Sequence, residues 1–283
     1  MNVYEIVTDR ILDSLSRGIV PWRKPWATQA PKNLISLREY RGINVLLLSA
    51  AHYECSYWLT YNQARGLGGT VKKGERGTPV VFWKISEKPD DKGEIEKSFL
   101  LRYFTVFNVN QCQGVQAPPV AVRPAFNPIE ECEGIVNGFP DRPRIDHGGS
   151  QAYYAPSLDR VQLPAREAFS SPAEYYSTLF HELTHATGST SRLNRKGITD
   201  ASLFASHAYS FEELIAECGA AFLCTQAGIA SATLDNSAAY IAHWSKLLRS
   251  EPRWLVTAAS QAAKAADLIL GKQARANAEA AAA

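Results

Sequence analysis

The sequence predicts an α+β protein of two domains, and three observations carry that expectation. The first half mixes helical patterns with two apolar runs, at 79–85 and 98–107, that read as the arms of a β-hairpin. The second half is dominated by apolar residues at helical spacing, interrupted by three short strand signals. Between the halves, residues 113–128 carry Pro118, Pro119, Pro124 and Pro128, the composition of a linker. The expected division is a mixed α/β domain with a β-hairpin over 1–125 and a mainly helical domain with a small sheet over 126–283.

The elements follow in order. Val3, Ile6, Val7, Ile11, Leu12 and Leu15 recur at helical spacing within 2–17, and Gly18 closes that helix. A short buried helix is expected over 43–52, and Thr60 caps another that runs to about Gly66. The charged stretch 86–97 reads as the connection of the hairpin. The second half opens with a helix at 128–137, followed by strands near 142–147, 151–155 and 159–163. Ser171 and Pro172 open a helix whose stripe is Tyr175, Tyr176, Leu179, Phe180, Leu183 and Ala186, and Gly188 ends it. A further helix spans about Phe211 to Gln226, two more cover 236–250 and 252–271, and the Ala-rich end, 274–283, is expected to fray.

Composition narrows the class. The chain of 283 residues is 46% apolar and 20% charged, as a globular protein is. No apolar run approaches the length of a bilayer span, and the first residues lack the basic and apolar pattern of a signal segment. The five cysteines form no C-x-x-C pair and read as reduced thiols of a cytoplasmic protein. Net charge is only +2, yet residues 1–125 hold 17 Lys and Arg against 11 Asp and Glu. The basic half and the acidic half therefore suit different partners.

The chemistry centres on His181-Glu-Leu-Thr-His185 and Glu213-Leu-Ile-Ala-Glu217. Residues four apart lie on one helix face, so His181 and His185 can address one metal ion. Glu182 is placed to act as general base on a bound water, and Glu213 offers a third ligand from the second helix. Three protein ligands and an open position describe a catalytic zinc centre rather than a structural one. Ser191 stands where a metzincin has its third histidine. The spacing instead resembles the gluzincin pattern. It gives Glu213 as ligand and Glu217 as the carboxylate that accepts the free ring N–H of a ligand histidine. Glu212 and Glu217 are the alternative ligands. Zn²⁺ is the expected ion, with Mn²⁺ or Co²⁺ compatible with the same donors. The strand near 151–155 is placed to hold an extended peptide by backbone pairing. His207, Tyr209, Tyr240 and His243 are candidates to contact the substrate or its oxyanion.

Aromatic and basic residues interleave in the first half, as they do where cations follow phosphates and rings stack on unpaired bases. The candidates are Trp22, Arg23, Lys24, Trp26, Arg41, Lys72, Lys73 and Arg76. Trp58, Phe82, Phe104 and Phe107 are read as core.

Specific segments carry a family resemblance: Gly18-Ile-Val-Pro-Trp-Arg-Lys-Pro-Trp26, Tyr40-Arg-Gly-Ile-Asn44, Tyr57-Trp-Leu-Thr-Tyr61, Lys73-Gly-Glu-Arg-Gly77 and Val106-Phe-Asn-Val-Asn-Gln111. They resemble the N-terminal domain of ArdC-type antirestriction proteins, which also opens TraC-type primases. His181–His185, Gly188–Arg195 and Tyr209–Glu217 are similar to the zincin-like metallopeptidase domain of the same family. The resemblance implies a cytoplasmic protein of mobile DNA that binds the incoming single strand and protects it from host restriction. A restriction component would be a possible protein substrate, and no membrane is involved. Two other readings stay open: a cytosolic zinc protease whose first domain binds protein, and a DNA binder whose metal is structural.

Overall fold

The computed structural model describes residues 2–18, 20, 30–51, 53, 55–89, 95–118, 128–200, 207–229 and 238–272; the side chains of 83–100, 128, 207–209 and 238–241 lie outside the description. Helix α1 (Val3–Ser16) starts at a capping box in which Asn2 and Glu5 each accept the other's backbone N–H. Strand β1 (Lys32–Asn33) and helix α2 (Ile43–Ser49) follow. Next come β2 (Tyr57–Thr60) and α3 (Tyr61–Gly66), which Thr60 and Gln63 cap in the same reciprocal way. Strand β3 (Thr70–Val71) pairs with β6 (Cys112–Gln113). The hairpin arms β4 (Thr78–Pro89) and β5 (Ile95–Asn108) complete the half. The main sheet has the order β1-β2-β5-β4, which leaves β4 at an edge. The arms outrun the expected strands: most of the charged stretch 86–97 is itself paired, and only 90–94 lie outside the description. Alternating charges such as Glu87 opposite Lys97 and Lys88 opposite Glu96 read as a loop by composition but favour cross-strand pairing.

The second half begins with α4 (Pro128–Asn137), so the expected boundary at 125/126 lies outside the described residues. Strands β7 (Arg144–His147), β8 (Tyr153–Ala155) and β9 (Arg160–Leu163) form a sheet of order β7-β9-β8. Helices α5 (Pro172–Ala186), α6 (Lys196–Thr199), α7 (His207–Ala227), α8 (Ala238–Ser250) and α9 (Trp254–Ile269) complete the fold. No described helix is long and apolar enough to cross a membrane.

Helix α7 is apolar on two sides because two cores meet across it. Ala220, Leu223 and Cys224 pack with α4, α5 and the β7-β9-β8 sheet. Leu214, Ile215 and Cys218 pack with Val7, Ile11 and Leu15 of α1, Leu46 and Leu47 of α2, and Leu248 and Leu255 of α8 and α9. The N-terminal helix thus completes the core of the C-terminal half. The four other cysteines are buried and Cys55 half-buried, none in a disulfide. Burial pushes the Cys224 thiol up to about 12, so it behaves as a small apolar side chain.

Candidate functional site

The site is made where α5 crosses α7. Ser171 caps α5 by accepting from the Glu174 N–H, and Pro172 occupies the first turn. Tyr175, Tyr176, Leu179, Phe180 and Leu183 anchor its buried face. The crossing is close because α7 presents small residues, Ala216, Gly219 and Ala220. A Cβ at Gly219 would stand 2.5 Å from Thr184 Cγ2. That contact fixes the level at which the two helices meet, and therefore which α7 side chains reach the histidines.

His181 and His185 converge with their Nε2 atoms 3.1 Å apart. Glu213 Oε2 stands 3.4 Å from His181 Nε2, and Glu213 Oε1 stands 3.5 Å from His185 Nε2. These donors fit a divalent cation. Ligand atoms about 2.0–2.2 Å from a tetrahedral ion lie about 3.3–3.6 Å from one another. The two carboxylate contacts fall within that spacing and the contact between the two Nε2 atoms is slightly shorter. Among the described residues this trio is the one cluster of three metal-type donors within 4.8 Å of one another.

Electrostatics agree with the donor set. Burial disfavours a charged His185, but the carboxylates of Glu212, Glu213 and Glu182 overcome it and push its pKa up to about 10. Burial would raise Glu213, but contact with both histidines holds its carboxyl well below the usual range.

Glu212 does not join the trio. It is 1% exposed and bound bidentately by Arg195, with Nε at 2.9 Å from Oε2 and Nη2 at 2.6 Å from Oε1. Arg195 Nη2 also donates to Thr184 O at 2.7 Å, and Nη1 to Thr187 Oγ1 at 2.7 Å. Glu212 Oε1 faces the buried His185 Nδ1 at 3.4 Å, a separation with no aligned hydrogen bond. Spacing alone assigns this place to Glu217. Helix geometry accounts for Glu212 standing here. Glu212 and Gly219 are seven residues, or two turns, apart and share the face toward α5. Glu217 is half-buried one turn beyond Glu213 and further around the helix. Sequence reasoning missed Arg195; its signal was the basic residue ending the Gly188–Arg195 segment. Gly188 ends the helix region by close approach, since a Cβ there would meet Ile198 Cγ1 at 2.6 Å.

The metal-type trio and the buried Glu182 line a cleft of about 900 Å³. Its opposite wall is Ala152, Tyr153 and Tyr154 at β8, an edge strand, as expected for the 151–155 segment. Tyr154 donates to Asp159 at 2.8 Å, and Arg192 clamps the same carboxylate with two contacts of 2.8 Å. This anchors the wall to the turn that follows α5. His207 and Tyr209 lie in the first turn of α7 rather than in a loop, and Tyr240 lies in α8; their side chains are outside the description. His243 is exposed, stacked edge-on against Trp244 at 5.5 Å, and is not among the described residues lining the cleft.

Of the nucleic-acid candidates, Trp22, Arg23, Lys24 and Trp26 lie outside the described residues. Arg41 is tied to Asp267 of α9 in an ion pair between the halves. Lys72, Lys73 and Arg76 are exposed on the turn before β4. Buried Gln111 holds that turn, donating to Glu75 at 2.8 Å and to Arg76 O at 2.9 Å. The Lys73–Gly77 and Val106–Gln111 segments are therefore one structural unit. Trp58 is buried and Phe107 half-buried as expected, but Phe82 and Phe104 are exposed, since the cover of Leu48 and Trp58 takes in Val80 and Val106 and not these two rings.

Two family models match the chain. Residues 1–107 match the N-terminal domain of anti-restriction factor ArdC, and residues 140–261 match a zincin-like metallopeptidase. The chain is 38% identical to protein y4eC of Sinorhizobium fredii over 96% of its own length and 92% of the relative's. It is 34% identical to DNA primase TraC of Escherichia coli, but spans only 20% of that protein. Two crystal structures of the antirestriction protein ArdC from plasmid R388 share its fold. The metal-free form gives a TM-score of 0.76 at 38% identity, covering 97% of this chain and 99% of that one. The Mn(II)-bound form gives 0.74 at 37% identity, covering 95% and 97%. A histidine-carboxylate site of divalent-metal type, in a zincin-like domain behind an ArdC N-terminal domain, thus places this chain in the ArdC family of antirestriction proteins.

Proposed function

We propose that this protein is a cytoplasmic antirestriction factor that binds single-stranded DNA through its N-terminal half and carries a peptidase site of the gluzincin type. It would act on plasmid DNA entering a restricting cell. The observation that carries the peptidase reading is the convergence of His181, His185 and Glu213 beside buried Glu182 in a cleft walled by an edge strand. The three donors would hold Zn²⁺, or Mn²⁺ or Co²⁺ in its place. Bound there, the cation supplies Lewis acidity to a carbonyl and lowers the pKa of water toward neutral.

The chain's own groups do the rest. The outer edge of β8 receives an extended peptide as a further strand. Glu182 accepts a proton from the attacking water and returns it to the leaving amine. Glu212, held by Arg195, sets the His185 ring. His207 and Tyr209, one to two turns ahead of Glu213 in α7, and Tyr240 are the remaining candidates for the oxyanion donor. The protein substrate fitting this role is a component of the restriction machinery. On the DNA side, Trp22, Arg23, Lys24 and Trp26 join Lys72, Lys73 and Arg76 as phosphate and base contacts; Arg41 acts through its ion pair with Asp267.

The test is plasmid transfer into restricting and non-restricting recipients. Glu182→Gln should retain metal and lose peptide hydrolysis. Protection lost with Glu182→Gln supports proteolysis of a restriction component. Protection retained with Glu182→Gln, but lost when Trp22, Arg23 and Lys24 are all changed to Ala, assigns it to DNA occupancy. Hydrolysis undiminished in Glu182→Gln would refute the general-base role.

A further inference from the structure

The β4–β5 hairpin carries a feature that the metal site does not use. Residues of a strand alternate between faces, and the register places Val80 opposite Phe104 and Phe82 opposite Arg102 on one face. Near the root this face is covered, with Val80 and Val106 buried against Leu48 and Trp58. On the same face Phe82 is 43% exposed and Phe104, directly opposite Val80, 47% exposed, and their rings stack at 4.3 Å with 22° between planes. The opposite face is packed in part at the same level, where Val81 and Leu101 belong to the core shared with α1 and α2, while Tyr103 opposite Val81 is exposed. The edge is pinned too. Asn44 Nδ2 donates to Val81 O at 2.8 Å, and the Val81 N–H donates to Asn44 Oδ1 at 2.7 Å. The stacked pair is therefore an exposed aromatic platform beside a strand that is pinned at Val81 from behind and from the side.

A bare aromatic stack on a rigid strand is a binding feature rather than a packing one. Its surroundings select the occupant. Exposed Arg102 sits in register beside Phe82, and the basic turn with Lys72, Lys73 and Arg76 leads into β4. Aromatic faces that extend a stack, with cations alongside, match an unpaired base and its phosphate. We infer that Phe82 and Phe104 form a stacking platform for an unpaired nucleobase of single-stranded DNA, with Arg102 meeting the adjoining phosphate. The inference rests on the single-strand binding proposed above and gives that binding a place on the fold.

The experiment measures affinity of the full chain for a fluorescent oligo(dT) and for an abasic strand of equal length and charge. Changing Phe82 and Phe104 together to Ala should weaken oligo(dT) binding about tenfold or more and leave the abasic strand unaffected. Changing both to Leu keeps the apolar surface but removes the π-faces, and should cost as much as Ala. Arg102→Ala should weaken both strands and lower the salt slope by about one. Both rings are exposed, so the melting temperature should hold. If wild type bound oligo(dT) and either double variant bound it equally well, the platform would be refuted while single-strand binding stood. The Leu variant binding like wild type where Ala did not would point to an apolar protein partner and likewise refute the platform. If wild type bound neither strand, the single-strand reading itself would fall and the platform with it.

Discussion

Replacing Arg195 tests how the metal-type site is held. Arg195 is 6% exposed and Glu212 1%, and the guanidinium bridges that carboxylate to Thr184 O and Thr187 Oγ1. Arg195→Ala would leave a buried carboxylate with His185 as its remaining described partner. Removing one member of a buried pair costs about 3–5 kcal/mol. For a chain of this size that is a fall of roughly 6–20 °C in melting temperature. Without the guanidinium the Glu212 carboxylate is no longer fixed against the His185 ring, and loss of such outer positioning weakens metal binding about 10–100-fold. Stability and positioning separate in a second variant. Arg195→Met combined with Glu212→Leu removes both charges and should recover most of the melting temperature. Its metal affinity should stay low, because His185 Nδ1 then faces no carboxylate. Thermal melts of the metal-free protein and metal titrations of both variants provide the readout. Wild-type metal affinity in the double variant would refute the positioning role, and an unchanged melting temperature in Arg195→Ala would refute the buried-pair energetics.

Metal binding at pH 7 should expel about one proton, since His185 is pushed up to about 10 in the metal-free protein; calorimetry in buffers of different ionisation enthalpy measures it. Because that pKa lies above the usual histidine value, the stabilisation it gives the metal-free fold is fully present below about pH 6.5 and is lost as pH rises toward 10. The metal-free melting temperature should fall across that window and the metal-loaded one should not follow it. Gly219→Ala gains about 1 kcal/mol of helix propensity, but its methyl would sit 2.5 Å from Thr184 Cγ2. Overpacking of about 1–3 kcal/mol should dominate, and adding Thr184→Ala should restore the melting temperature. Deleting residues 2–18 should expose Leu214, Leu248 and Leu255 to water. The remaining chain should lose its near-ultraviolet dichroism rather than behave as an intact peptidase domain.

Much of this molecule is legible in its sequence, and the divide between what is and is not has a physical cause. The α5 donors His181 and His185 are four residues apart, so helix periodicity alone places them together. The third donor is a choice among Glu212, Glu213 and Glu217, and periodicity cannot make it. The choice depends on the level at which α7 crosses α5, which Gly219 and Thr184 set by contact. Arg195 is invisible for the same reason, because its partner lies 17 residues away and the pairing exists only once the turn after α5 folds back. The hairpin arms are read too short because charge alternation that resembles a loop is equally the pattern of a solvated strand pair.

The aromatic residues of that hairpin show the limit most clearly. Phe82 and Phe104 have the same chemistry and strand setting as buried neighbours such as Val80. Hydrophobicity therefore predicts core for all of them. What distinguishes them is that the cover of Leu48 and Trp58 takes in Val80 and Val106 and leaves the two rings out. Function enters where the pattern calls for burial and the fold withholds it. The same holds where α5 meets α7, where His181, Glu182 and His185 of one helix and Glu213 of the other face one cleft, and a cation would offset the cost of gathering them.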